Sequence, residues 1–449
     1  MKLTMNRFMQ SNSVLMLAVA LLLVGISLIF SPIADTRQGT VPAVGEPLAG
    51  LTAGAPANAS DYTDRMITGM QARVRKDPSD YLAFTRLGIA YLQKARETND
   101  PSFYGLAEDA LHKALALSPN YYDALAAFGS LELSRHEFAK ALEWGRKAQQ
   151  AMPEKAYAYG VIGDALIELG RYGEAVDALQ RMVDLRPDLS SYSRISYARE
   201  LHGDIQGAIE AMQMAVQAGS PAAENTAWCR VQLGKLYFNT GQLDKAEQAF
   251  TEALQGYPGY MHALAGLGQV RWAQGNTDEA IRLYEQAVSK VPYPEYLMHL
   301  GDLYAGVGDT KSAQEQYDLV MYIFKVFESN KVDVSVEKAA FLADYNLDPD
   351  PQQAVALAES AIQKRQDVNT QDVLAWAYYR AGRYKDALAA EQQAMRLGTR
   401  NPMFYYHLGM IYDGLGDTEK ARLNVQEALR INPHFSIRYS RQAQEFLRK

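Results

Sequence analysis

The feature that most constrains this chain is a motif that recurs roughly every 34 residues. Prolines and glycines carry the period: Pro119, Pro153 and Pro187; Pro258 and Pro292; Gly129 and Gly163; Gly234 and Gly268. A fixed period of this length is typical of repeat proteins, in which each small unit buries its apolar face against the next unit. A chain of 449 residues is long enough to contain ten such units and further segments at its ends.

The stretch from Ala227 to Gly259 is the clearest single unit, and its apolar residues follow helical spacing on both sides of Gly241. The predicted apolar faces comprise Leu233, Gly234 and Tyr237 in a first helix, and Ala246, Phe250 and Ala253 in a second. We expect Gly234 and Ala246 to lie where the two backbones approach closely, with Phe250 filling the space around that contact. Neither helix can bury its face alone, so the unit needs neighbours.

The pattern Leu-Gly-x-x-Tyr followed by Ala-x-x-x-aromatic-x-x-Ala, recurring at this period, resembles the tetratricopeptide repeat (TPR) family. The resemblance extends roughly from Asp80 to Phe435, over ten units. It implies an all-α fold, a right-handed α-solenoid of about ten helix-turn-helix units. It also implies that the first helix of each unit lines the concave surface.

The register slips once, because Ala313 and Ala354 occupy equivalent positions although their separation exceeds the repeat period by about two helical turns. The apolar segment Met321–Phe327 lies within this interval and predicts a longer second helix. Phe324 and Phe327 either pack under the next unit, which we favour, or form a contact face for a second chain.

The N-terminus carries an apolar run, Val14–Phe30, of about the length that spans a bilayer. Lys2 and Arg7 precede it, so the positive-inside rule predicts a cytoplasmic N-terminus and an extracytoplasmic array. A cleaved signal peptide, leaving a secreted or periplasmic array, is the alternative. The predicted organisation is 1–13 cytoplasmic, 14–31 transmembrane or signal-anchor helix, 32–60 flexible linker, 61–79 capping helix, 80–435 repeat array and 436–449 C-terminal capping helix.

No motif for catalysis or for a cofactor accompanies the repeats. The sequence lacks a GxxxxGK[ST] loop, a GxSxG elbow and an HExxH helix, and its seven histidines show no ligand spacing. The single cysteine, Cys229, excludes a disulfide framework, and a net charge of −7 argues against nucleic-acid binding. We therefore predict a protein that is not an enzyme and that holds neither a cofactor nor a metal.

The resemblance places a set of largely aromatic side chains on the concave surface. This predicted partner-binding groove comprises Tyr157, Tyr197, Trp228, Lys235, Phe238, Asn239, Trp272, Trp376, Tyr379, Arg380 and Tyr406. Aromatic side chains are enriched where binding energy concentrates, although any one of them can instead pack between units. Such a groove suits an extended peptide or an amphipathic helix.

These observations predict a membrane-anchored protein–protein interaction scaffold. The alternative is a structural or assembly subunit of a larger membrane or cell-envelope complex. The partner, the pathway and the oligomeric state do not follow from the sequence.

Overall fold

The computed structural model describes residues 59–345 and 350–449. Within these ranges the chain forms 22 α-helices and one short 3₁₀ turn, without any strand. The predicted segments 1–13 and 14–31, and nearly all of the linker, lie outside the described residues. Among the helices that the structure describes, none combines the length and the apolar character needed to cross a bilayer.

The helices follow one another as hairpins. In chain order they are α1 Ala59–Lys76, α2 Tyr81–Thr98, α3 Ser102–Leu117, α4 Tyr122–Ser134, α5 Phe138–Ala151, α6 Ala156–Glu168, α7 Tyr172–Leu185, α8 Leu189–Leu201, α9 Ile205–Ala218, α10 Glu224–Asn239, α11 Leu243–Gly256, α12 Met261–Ala273, α13 Thr277–Lys290, α14 Pro294–Gly306, α15 Thr310–Ser329, α16 Ser335–Tyr345, α17 Gln352–Ala361, α18 Val368–Arg380, α19 Tyr384–Ala394, α20 Pro402–Gly414, α21 Thr418–Ile431 and α22 Ser440–Arg448. The pairs from α2–α3 to α20–α21 correspond to the ten predicted units, so the predicted helical solenoid is confirmed. Helices α1 and α22 lie at its two ends.

A glycine in the first helix of most units receives a large side chain from the second helix. A Cβ atom added to Gly234 would lie 2.5 Å from the ring of Phe250, which is completely buried. The same pairing joins Gly88 to Leu111, Gly163 to Leu179, Gly268 to Tyr284, Gly301 to Tyr317 and Gly409 to Val425. The predicted close approach at Gly234 is therefore confirmed, and any larger residue there would push the two helices apart.

Helix α15 contains 20 residues, whereas α11 and α13 contain 14 each, which confirms the predicted longer helix. Phe324 and Phe327 are each 1% exposed, and the Phe324 ring lies 6.0 Å from that of Phe341 in the next unit. The apolar segment is thus core. Among its apolar side chains only that of Tyr322, at 55% exposed, faces outward.

The ten units wind far enough that the second half of the chain lies against the first. Four hydrogen bonds mark this inter-turn interface: the Asp333 N–H donates to the Arg135 carbonyl (3.1 Å), the Gln366 N–H to the Glu168 carbonyl (2.9 Å), the Thr399 hydroxyl to the Leu201 carbonyl (2.5 Å) and the Asn432 side-chain amide to the Phe238 carbonyl (2.9 Å). The four donors are spaced one unit apart, and so, nearly, are the four acceptors. Successive units therefore meet in register across the interface.

Two glycines permit close backbone contacts at this interface. Gly170 and Gly203 have φ angles of +71° and +76°, in the left-handed region that suits glycine. A Cβ atom on Gly170 would lie 2.6 Å from the Gln366 carbonyl oxygen, and one on Gly203 would lie 2.5 Å from that of Gly398. Alanine at either position would thus strain the turn and force the two halves apart.

Gly308 provides a matched comparison for the contact at Gly203. It occupies the equivalent turn of another unit with a φ angle of +87°, but a Cβ atom added to it would have no atom of the described residues within 4 Å. Both Gly→Ala substitutions incur about 1–2 kcal/mol for a left-handed alanine. We expect Gly203→Ala to lower the thermal midpoint clearly further than Gly308→Ala, because only Gly203→Ala also disrupts the inter-turn interface. Equal shifts in differential scanning calorimetry would contradict this contact.

Candidate partner-binding site

A first cavity of about 250 Å³ lies between the two halves of the chain. Helices α8 and α10 form one wall, with Tyr197, Trp228, Lys235 and Asn239 lining it. Residues 399–402 lie on the opposite side, together with Asn369. Since the second wall belongs to units nine and ten, the cavity depends on the inter-turn interface.

Charged groups of both signs line the first cavity. The Lys235 ammonium lies 3.6 Å from the Glu295 carboxylate. Burial raises the pKa of Glu200, a third group of the lining, to about 7, and the charge of Lys235 opposes that rise. Asn239 is exposed. The lining therefore offers a cation, carboxyl groups and an amide to a polar ligand.

Contacts across the cavity hold its two walls together. The Thr399 hydroxyl donates to the Leu201 carbonyl oxygen, and the Asn369 side-chain amide lies 3.5 Å from the Tyr197 hydroxyl. The Val368 N–H donates to the Tyr172 hydroxyl at 2.8 Å. These bonds fix Val368, Asn369 and Thr399 against the first half of the chain.

A buried cluster of ionisable groups adjoins these contacts. The Arg365 guanidinium lies 2.6 Å from the Glu168 carboxylate and 3.0 Å from those of Glu337 and Asp367, and all four side chains are at most 8% exposed. One cation thus serves three carboxyl groups drawn from both halves of the chain. Burial raises the pKa of Glu168 to about 8, and the neighbouring carboxylates of Asp367 and Glu337 add to the rise. The charge of Arg365 opposes it, but one guanidinium cannot neutralise three carboxylates.

A second cavity of about 310 Å³ lies near the C-terminus, and its lining combines aromatic with charged side chains. Trp376, Tyr379 and Tyr406 line it with Arg380. The Trp376 indole stacks on Tyr379, with ring centres 4.7 Å apart, and its N–H donates to the Asp344 carboxylate at 2.6 Å. The rings are therefore held in place by one another and by a carboxylate acceptor.

Comparison with known sequences identifies the repeats. A family profile described as tetratricopeptide repeat matches residues 148–190, 161–223, 231–295, 266–319 and 373–434, which together cover just over half of the chain. The chain belongs to the tetratricopeptide repeat family.

Individual TPR relatives are distant. A TPR repeat-containing protein of Methanocaldococcus jannaschii is 22% identical over 323 residues, or 71% of this chain and 46% of that protein. The small glutamine-rich TPR-containing protein 2 of Mycosarcoma maydis is 37% identical over 87 residues, or 19% of this chain and 24% of that protein. This chain thus matches less than half the length of these relatives. The crystal structure of a TPR protein from Parabacteroides merdae aligns with a TM-score of 0.40, at 17% identity, over 58% of this chain and 95% of that one.

The structure divides the TPR residues predicted to form one groove between two cavities. Tyr197, Trp228, Lys235 and Asn239 line the first cavity, and Trp376, Tyr379, Arg380 and Tyr406 line the second. The remaining three predicted residues line neither: the Tyr157 hydroxyl bonds to that of Ser130 at 2.7 Å, Phe238 is 1% exposed, and the Trp272 ring lies 6.0 Å from that of His434. Trp228 and Trp376 are only 8% and 4% exposed, so most of their surface is buried by packing against other residues. That these residues bind a partner stays a prediction.

Sequence reasoning missed the residues that the second half of the chain contributes to the first cavity, Asn369, Arg400 and Asn401 among them. Arg400 and Asn401 lie in the connection before α20, where the repeat pattern assigns no concave position, and Asn369 is the second residue of α18 and was not included in the predicted groove. Their approach to Tyr197 depends on how far ten units rotate in total. No spacing within a single unit carries that information.

The Arg365 cluster predicts an unusual dependence of stability on pH. Because the pKa of Glu168 rises from its ordinary 4.5 to about 8, the folded chain binds this proton more tightly than the unfolded chain does. The resulting stabilisation is complete below about pH 4.5 and is lost as the pH rises through 8. We expect the thermal unfolding midpoint of the wild type, measured relative to that of Glu168→Gln, to decrease as the pH is raised from about 5 to about 8. The exposed Glu143→Gln serves as a control, and parallel pH profiles for wild type and Glu168→Gln would refute the prediction.

Proposed function

We propose that this TPR protein is a non-enzymatic scaffold that binds an extended segment of a partner protein in the first cavity. TPR proteins generally mediate protein–protein interactions, and the TPR array is the feature that this chain shares with its relatives. The single observation that carries the proposal is the lining of Tyr197, Lys235 and Asn239, which combines an aromatic ring, a cation and an amide. An amide side chain can pair with the main chain of a peptide, and a cation can pair with an acidic side chain.

The polar lining of the first cavity favours an extended segment over a helix. The main-chain N–H and C=O groups of an extended chain remain free to pair with side chains such as Asn239, whereas those of a helix pair within the helix. The carboxyl groups of Glu200 and Glu295 lie in the same lining as Lys235, so the bound segment is mainly polar.

Binding of selected peptides tests this proposal. Peptides would be selected from a displayed random library against the purified full chain, and their affinities measured by fluorescence anisotropy. We expect the double substitution Lys235→Met with Asn239→Ala to weaken binding at least about tenfold, because each removed hydrogen bond contributes about 1 kcal/mol or more. These side chains are better targets than the buried tryptophans, whose truncation would also disrupt packing.

Lys311→Met is the matched control, since Lys311 is 87% exposed and lies away from the cavity lining. Its affinity should equal that of the wild type. If the double variant bound the selected peptides as tightly as the wild type does, the first cavity would not be the binding site.

We also propose that residues 14–31 anchor the chain in a membrane, with the array outside the cytoplasm. The support is the uncharged run Val14–Phe30 and the basic residues Lys2 and Arg7 before it. Protease added to intact spheroplasts should digest the array while a cytoplasmic marker protein survives. Protection of both the array and the marker, followed by digestion of both after lysis, would overturn this topology.

A further inference from the structure

Three ionisable side chains meet inside the array at the junction of units nine and ten. Asp372 lies on α18, Glu391 on α19 and His407 on α20. One donor atom from each lies within 4.8 Å of the other two, and the residues are 7%, 0% and 4% exposed. The Nδ1 atom of His407 is 2.7 Å from the Asp372 carboxylate. The three residues lie on three successive helices, so no short sequence motif for metal ligands predicts the cluster.

Glu391 breaks the repeat pattern at a position that most other units fill with apolar side chains. It follows Ala387 by four positions, just as Phe250 follows Ala246 and as Tyr284 follows Ala280. Those rings are completely or almost completely buried against a glycine of the first helix. A carboxyl group in the same place forgoes that packing and incurs the cost of desolvation. The buried carboxyl group of Glu391 therefore needs a partner that compensates for the lost hydration.

Among the described residues, a proton shared with the Asp372 carboxyl group is the one internal partner open to Glu391. Without that proton, neither carboxylate oxygen of Glu391 has a hydrogen-bond partner among these residues, and the Nε2 atom of His407 has none either. More than nine in ten buried polar groups in proteins are satisfied, so the unsatisfied groups of these two side chains point to a ligand. Burial, the charge of Asp372 and a hydrogen bond shared with it raise the pKa of Glu391 well above its ordinary value. A divalent cation would neutralise both carboxylates at once.

We propose that Asp372, Glu391 and His407 form a binding site for a divalent transition-metal ion such as Zn²⁺. Imidazole nitrogen and carboxylate oxygen are both ordinary zinc ligands, at about 2.0–2.2 Å from the ion. Tetrahedral ligands at that distance lie about 3.4 Å apart, so side-chain shifts of roughly an ångström close the cluster around the ion. Water completes the coordination.

The ion would connect three helices of two units directly beneath the second cavity. The Trp376 ring, which lines that cavity, stacks on the His407 ring with centres 4.0 Å apart and planes inclined by 13°. This stacking fixes the imidazole plane. Bound metal would thus stabilise the junction of units nine and ten rather than carry out chemistry.

Titration of the chelator-stripped full chain with Zn²⁺ alone tests the site. We expect one tightly bound equivalent, measured by competition with a chromophoric chelator, and a rise of several degrees in the thermal midpoint when Zn²⁺ saturates the site. Glu391→Val installs the residue that unit ten carries at this position, Val425, so the variant should fold; its affinity for Zn²⁺ should fall at least about 100-fold. His407→Gln should lose affinity similarly.

His202→Gln is the control, because His202 is exposed and distant in sequence from the cluster. It should bind Zn²⁺ as the wild type does. Absence of a stoichiometric equivalent in the wild type would overturn the site and would leave a proton shared by Asp372 and Glu391 as the compensating partner. Equal Zn²⁺ affinity in the wild type and in His407→Gln would equally overturn it, since the metal would then bind elsewhere.

Discussion

The contact between a first-helix glycine and a large second-helix side chain sets the geometry on which the array depends. At Gly234 the Phe250 ring occupies the space that a Cβ atom would need, and Gly301 receives Tyr317 in the same way. Close-packed interiors tolerate little change in volume at such a point. The contact therefore fixes the distance and the angle between the two helices of a hairpin. Because the unit recurs, small errors in that angle would add up along ten hairpins.

The inter-turn interface depends on this precision. The donors Asp333, Gln366 and Thr399 follow one another at equal spacing, and they reach carbonyl groups that have the same spacing. Such matching requires that the two halves of the chain advance by the same distance per repeat unit along the interface. The first cavity and the Arg365 cluster exist because the match holds, since each draws its walls or its charges from both halves. The first cavity is thus formed by the pitch of a superhelix rather than by one groove.

The sequence predicted what is local and missed what is distant. The hairpins, the role of Gly234 and the length of α15 follow from spacing within one unit or between adjacent units, and all three are confirmed. The approach of Asn369 to Tyr197 does not follow, because it depends on rotations summed over many units. Trp228 was expected on an open surface, but it is only 8% exposed and belongs to the apolar core of neighbouring units. Glu391, in contrast, stands at an aromatic position of the repeat, so comparison of the units would have singled it out.

The inter-turn interface also changes how the array should fold. A solenoid whose units touch only their neighbours can gain or lose structure at its ends, one unit at a time. Here Val368 of unit nine is hydrogen-bonded to Tyr172 of unit three, although the two are 196 positions apart in the chain. Contacts at such separation raise the contact order, which slows folding and couples distant segments. This bond closes a loop that contains the units in between. Fraying of either end of the array is opposed by bonds to the middle of the chain.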